Sequence, residues 1–146
     1  MRYWKIGFAA VFLLASVCAG QTNSPVRLDA DLKAGYQGAV LVETVQPGDV
    51  VSLEIFGRDM AGASGFSATV VFDPAQVVFD GFTAGDAIPD LTGLKIEEGA
   101  GSVEVGGASV SGTAALSEGR LGVIRFRIAS GFSGTTSISI TKATLS

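Results

Sequence analysis

From residue 39 onward, apolar and polar residues alternate along most of the chain. Val51, Leu53 and Ile55 fall on one side of the run 50–56, with Ser52 and Glu54 on the other. Phe66, Ala68, Val70 and Phe72 alternate with Ser67, Thr69 and Val71, and Ile124, Phe126 and Ile128 alternate with Val123, Arg125 and Arg127. A period of two is that of an extended strand with one face hidden. The same reading predicts strands over 39–45, 77–82, 94–97, 102–105 and 136–145, with 108–110 continuing the strand before it past a bulge at Gly106-Gly107. Ala114 to Leu116 leads into a turn at 117–119. Pro47-Gly48 and Asp73-Pro74 punctuate the runs, because proline presets one turn dihedral and has no N–H to give a ladder. No segment shows a helical period. About nine short strands at the roughly 8–12-residue spacing of such folds predict an all-β antiparallel sandwich, since one apolar face per strand is hidden only by a second sheet. Phe66, Val70, Phe72, Ile124, Phe126 and Ile138 are the expected core.

The first residues follow a different rule. Arg2 and Lys5 precede an apolar run from Ile6 to Val17, and Val17-Cys18-Ala19 supplies small residues before polar Gln21-Thr22-Asn23-Ser24. That order is a secretory signal peptide over 1–19, cut before Gly20. The run is shorter than the ~20 apolar residues of a membrane span, so no span is expected. Residues 20–38 read as a polar lead-in and 39–146 as the single folded domain. The expected location is outside the cytoplasm, extracellular or periplasmic. Anchoring as a lipoprotein through Cys18 is the lesser alternative, because Leu14 stands four residues before the cysteine and bulky Val17 immediately before it.

Composition narrows the chemistry. The 146 residues include one Cys and no His, which removes histidine-based triads, zinc fingers and a disulfide framework. Loss of Arg2 and Lys5 with the leader takes the net charge from −4 to −6. An acidic chain without a basic stripe repels phosphate, so nucleic acid is not an expected partner. Glu97-Glu98 points its carboxylates to opposite sides of a strand, which does not suit a shared substrate. Asp29-Ala30-Asp31 opens like a calcium loop, but Ala34 and Val40 stand where glycine and a bidentate glutamate are needed. No catalytic residue, metal site or cofactor is expected, and the chain reads as a non-enzyme.

Three stretches carry a family likeness. They are Val45-Gln46-Pro47-Gly48-Asp49-Val50-Val51, then Gly65 to Val77 with its Phe72-Asp73-Pro74 turn, then Gly119 to Phe126 followed by Gly134 to Ile140. In order and spacing, residues 39–145 resemble a cohesin domain, with Phe72 in place of the family's Tyr and Val77 in place of its Leu. The resemblance implies a jelly-roll sandwich of the carbohydrate-binding-module superfamily and a non-catalytic role in extracellular polysaccharide degradation. It implies a dockerin-like protein partner seated on one sheet face. By strand parity that face is expected to join the strands at 66–72, 94–97, 102–105 and 121–128, and to present Ser67, Thr69, Val71, Glu104, Arg125 and Arg127. Two other functions stand beside it. Direct sugar binding would need exposed aromatic rings, with Phe82 and Phe132 as the candidate platforms. A structural or adhesive subunit would pair through sheet edges.

Overall fold

The computed structural model of the chain describes residues 9–13, 25–38 and 41–146, with the backbone alone at 9–13, 41–44 and 93–97. Ten strands and no helix occupy the described residues. They are β1 (Ala9–Leu13), β2 (Val26–Asp29), β3 (Leu41–Val45), β4 (Val50–Arg58), β5 (Gly65–Phe72), β6 (Val77–Ala84), β7 (Thr92–Gly99), β8 (Ser102–Ala108), β9 (Glu118–Ile128) and β10 (Thr135–Leu145). A six-stranded sheet has the order β3-β1-β10-β5-β8-β7, and a four-stranded sheet the order β2-β4-β9-β6. Every pairing is antiparallel except that of β1 with β10. The fold is therefore the all-β sandwich that the alternation predicts, the jelly roll that the family resemblance implies.

The inward positions fill the space between the sheets. Leu53, Ile55, Ile124 and Phe126 come from the smaller sheet, and Phe66, Val70, Val103, Val105 and Ile138 from the larger; all are buried. Phe126 sits at the centre of an aromatic cluster, 5.0 Å from Phe72 and 6.1 Å from Phe79 between ring centroids. Edge-on contacts of this kind add to the area term. Phe72 is half-buried at the rim of this core rather than inside it.

Turn chemistry is local. In the Pro47-Gly48 turn, Gly48 takes φ +92° and the Asp49 amide donates to the Gln46 carbonyl at 3.0 Å. Asp49 Oδ2 then accepts from the Gln46 amide at 2.9 Å. Glycine holds that positive φ without a Cβ penalty.

The structure departs from the sequence reading in three places. The lead-in contains a strand, β2, whose Leu28 and Asp29 stand opposite Ile55 and Glu54 of β4. A four-residue strand inside a polar stretch is too short to register as a period. The expected bulge at Gly106-Gly107 does not interrupt the β8 ladder with β5, which runs unbroken from Ser102 to Ala108. The irregularity lies instead on the β7 side, between Thr92 and Lys95. Finally, β1 falls within the expected leader, where an Ala-Ala-Val-Phe-Leu run suits a strand slot as well as a signal sequence. The expected cut before Gly20, Cys18, and Ala39 and Val40 of the expected first strand lie outside the described residues.

Candidate docking faces of the sandwich

The outer face of the six-stranded sheet is built from three cross-strand rows. Ser139, Val71 and Ser102 form one, and Lys142, Thr69 and Glu104 the next. Thr144, Ser67 and Gly106 form the third. All the side chains in these rows are half-buried or exposed, and most are short. Ser67 Oγ donates to Glu104 Oε1 at 2.9 Å, which ties the Glu104 side chain to the neighbouring strand. Beside it lies a shallow dip of about 400 Å³ between Phe66, Ser67, Thr92, Glu104 and Val110, with Gly106 and Gly107 in its lining. Val110 is 95% exposed at its margin.

Ser67, Thr69, Val71 and Glu104 are thus together, as expected. Arg125 and Arg127 are not with them. Both belong to β9, which pairs with β4 and β6 in the other sheet, so their side chains leave the opposite side of the sandwich. The expectation of one six-residue face is corrected to two faces. Strand parity identified the outward residues, but it carries no information on which sheet a strand joins.

On the smaller sheet each arginine is already engaged. Arg125 Nη1 donates to Thr83 Oγ1 at 2.8 Å. Its guanidinium lies over Gly81, where a Cβ would stand 2.7 Å from Nη2; the residue has φ +141° at a bulge in β6. Glycine holds that φ without a Cβ penalty, and the missing Cβ leaves room for the guanidinium where it lies. Arg127 donates from Nη2 to Asp80 Oδ1 and from Nη1 to the Gly48 carbonyl, each at 3.2 Å. Val50 and Val78 flank Arg127 in register and are exposed.

The other end of the smaller sheet carries a constellation that the sequence reading did not single out. Residues 30–38 fold back over the outward side of β4. Asp29, 0% exposed, clips this loop: Oδ1 accepts from the Asp31 amide at 2.9 Å, and Oδ2 from the amides of Gln37 at 2.6 Å and Gly38 at 2.9 Å. Tyr36 packs on Phe56, ring centroids 5.6 Å apart, between the guanidiniums of Arg27 and Arg58 at 5.7 and 5.5 Å. The cover leaves Glu54 only 1% exposed. Glu54 Oε1 accepts from Arg120 Nε at 2.8 Å, and Arg120 Nη2 donates to the Leu32 carbonyl. Glu54 Oε2 has no hydrogen-bond partner among the described residues. Burial pushes the Glu54 carboxyl above its ordinary value and the charges of Asp29 and Asp31 push the same way, against the pull of Arg120.

A signal for this cover was present in the sequence. Phe56 shares the parity of Ser52 and Glu54, and an aromatic residue on an otherwise polar face marks a face that something covers. Phe56 is therefore an outward residue under a loop, not a residue of the space between the sheets. The two aromatic platforms considered for sugar binding are also corrected. Phe82 and Phe132 are each 9% exposed and belong to the core. Phe82 lies within β6 and packs on Phe66 of the other sheet, ring centroids 6.1 Å apart. Among the described residues, no group of acidic residues or cysteines is arranged to hold a metal ion, and no helix is long and apolar enough to cross a membrane.

No protein-family model matches the chain, and no curated protein does. Solved structures do. The sixth cohesin of scaffoldin B from Acetivibrio cellulolyticus, in complex with a Cel5 dockerin mutant, has a TM-score of 0.60 and 18% identity, covering 95% of this chain and 85% of that one. The Coh-OlpA–Doc918 complex of Clostridium thermocellum, a type I cohesin–dockerin complex, gives 0.58 and 14%, covering 68% and 77%. The third cohesin of ScaC from Acetivibrio cellulolyticus, in complex with a ScaB dockerin, gives 0.53 and 19%, and the match covers 60% of this chain and 66% of that one. At these identities the likeness is one of fold, and the fold is that of a cohesin.

Proposed function

We propose that this chain is a secreted, non-catalytic binding module of cohesin type that captures a protein partner on the outer face of the larger sheet, on the strands β10, β5 and β8. The partner class is a dockerin-like module, and the setting is extracellular polysaccharide degradation. The observation that supports this most is the surface itself. The rows through Val71, Thr69 and Ser67 offer a broad sheet face of mostly short side chains, with the Glu104 carboxylate held by Ser67. Short side chains lose little rotamer entropy when a partner covers them. The solved structures of like fold that are cohesin–dockerin complexes support a helical partner of this kind. The other sheet suits this less well, because the loop 30–38 caps one end and the arginines at the other end are already engaged.

Two variants separate the faces. Thr69→Arg places a long charged side chain in the middle row of the larger sheet. It is expected to abolish partner recovery when the protein is used as bait in the native secretome. Arg125→Ala with Arg127→Ala, on the opposite sheet, is expected to leave recovery unchanged. Equal recovery by wild type and Thr69→Arg, with both folded by thermal melt, would overturn the assignment.

A further inference from the structure

The covered end of the smaller sheet has features that an inert ion pair does not need. Beside Glu54 lies a cleft of about 380 Å³ lined by Leu32, Phe56, Asp86, Glu118 and Arg120. Two carboxylates, Asp29 and Glu54, stand opposite each other on neighbouring strands, both buried. Asp29 spends its oxygens on three loop amides. Glu54 gives one oxygen to Arg120 and keeps the other, Oε2, buried without a partner among the described residues. An unpaired buried carboxylate oxygen is costly, and a carboxylate only accepts. What completes it is a donor, and in this setting a positive one.

The charge around the cleft agrees. Asp86 and Glu118 add two carboxylates at its exposed rim, and Arg58 reaches Glu118 at 3.8 Å. Arg120 is the single cation in the lining, and its Nε and Nη2 are turned to Glu54 and Leu32. The apolar part of the lining, Leu32 and Phe56, suits a short methylene chain rather than a second charge. With no acidic group arranged for a metal ion among the described residues, a chelated cation does not fit this lining.

We propose that this cleft is a binding site for an alkylammonium group, its nitrogen drawn to the Glu54 carboxylate and to the rim carboxylates of Asp86 and Glu118, and its methylenes lying against Leu32 and the edge of Phe56. The source is a lysine side chain displayed on a protein or a free aliphatic amine; the chemistry is the same. The site is on the opposite side of the sandwich from the docking face and does not depend on it. Partner capture on one face and ammonium binding on the other fail separately.

The test is a titration of the full chain followed by backbone-amide NMR. Nα-acetyl-lysine methylamide and cadaverine represent the two ammonium sources. Nα-acetyl-norleucine methylamide is the uncharged counterpart, and calcium chloride tests a metal. Saturable shifts at Glu54, Gly119 and Arg120 with either ammonium probe, and none with the norleucine probe, are expected. Glu54→Gln is expected to weaken binding about tenfold or more, as loss of a charge-assisted contact does. Should Glu54→Gln fail to fold, Asp86→Asn with Glu118→Gln removes the exposed rim charges and is expected to weaken binding a few-fold by loss of attraction. No shift at about 20 mM of both amines, about the limit of a useful small-ligand contact, overturns the proposal. So does equal binding of the norleucine probe, saturation by calcium, or unchanged affinity in the rim variant.

Discussion

Phe126 and Glu54 occupy adjacent strands, yet they illustrate opposite uses of burial. Phe126 is fully buried between the sheets and contacts both Phe72 and Phe79. Phe126→Ala is expected to cost ~3–5 kcal/mol, the usual loss for a large buried aromatic, and the denaturant midpoint measures it. That is a large share of the ~5–15 kcal/mol that holds a domain together, so the variant is expected to be marginal. Glu54 is buried as deeply but carries a charge. Its carboxyl titrates above the ordinary 4.5 in the folded state because burial opposes ionisation. The folded protein therefore holds this proton more tightly than the unfolded chain. Glu54 consequently makes stability fall as pH rises from the ordinary value through the folded one, and favours the fold below it. In Glu54→Gln this contribution to the pH dependence is expected to vanish. Paired denaturation curves from pH 4 upward, the region of ordinary carboxyl titration, measure it.

The loop 30–38 is an element in its own right, although it contains no regular structure. One carboxylate, Asp29, accepts three of its backbone amides, and one ring, Tyr36, covers Phe56. Asp29→Ala removes the clip. Hydrogen bonds to a charged acceptor are worth ~1.5–3 kcal/mol each, so faster hydrogen exchange at the amides of Asp31, Gln37 and Gly38 is expected, with exposure of Glu54. The strands β4, β5, β6, β9 and β10 were legible in the sequence to within a few residues, because each has one face in the core and the period shows it. The loop was not, because its contribution is long-range: a polar segment clipped by one aspartate leaves no period. The proposed docking face was half legible for a related reason. Alternation placed Thr69 and Arg125 outward correctly, but sheet membership depends on crossovers that no local pattern encodes. Arg125→Ala with Arg127→Ala removes contacts at the exposed end of the smaller sheet and is expected to change stability by no more than ~1 kcal/mol, read from the same denaturation curves.

At the scale of the molecule, the two faces of the sandwich are chemically distinct, one made of short polar side chains and one of clipped loop and arginines. The secreted protein is expected to begin near Gly20 and to lack Cys18, which intact-mass measurement checks. A lipid-modified Cys18 would contradict both. The position of β1 bears on the order of events that leads there. In the structure β1 lies between β10 and β3, hydrogen-bonded to both. An apolar run that has become the interior strand of a sheet is not a free extended peptide for a translocation channel or a peptidase to grip. If residues 1–19 act as a leader, export and folding are rival processes drawing on the same apolar run. On that reading a chain that folds before it is engaged is expected to keep residues 1–19 and stay behind.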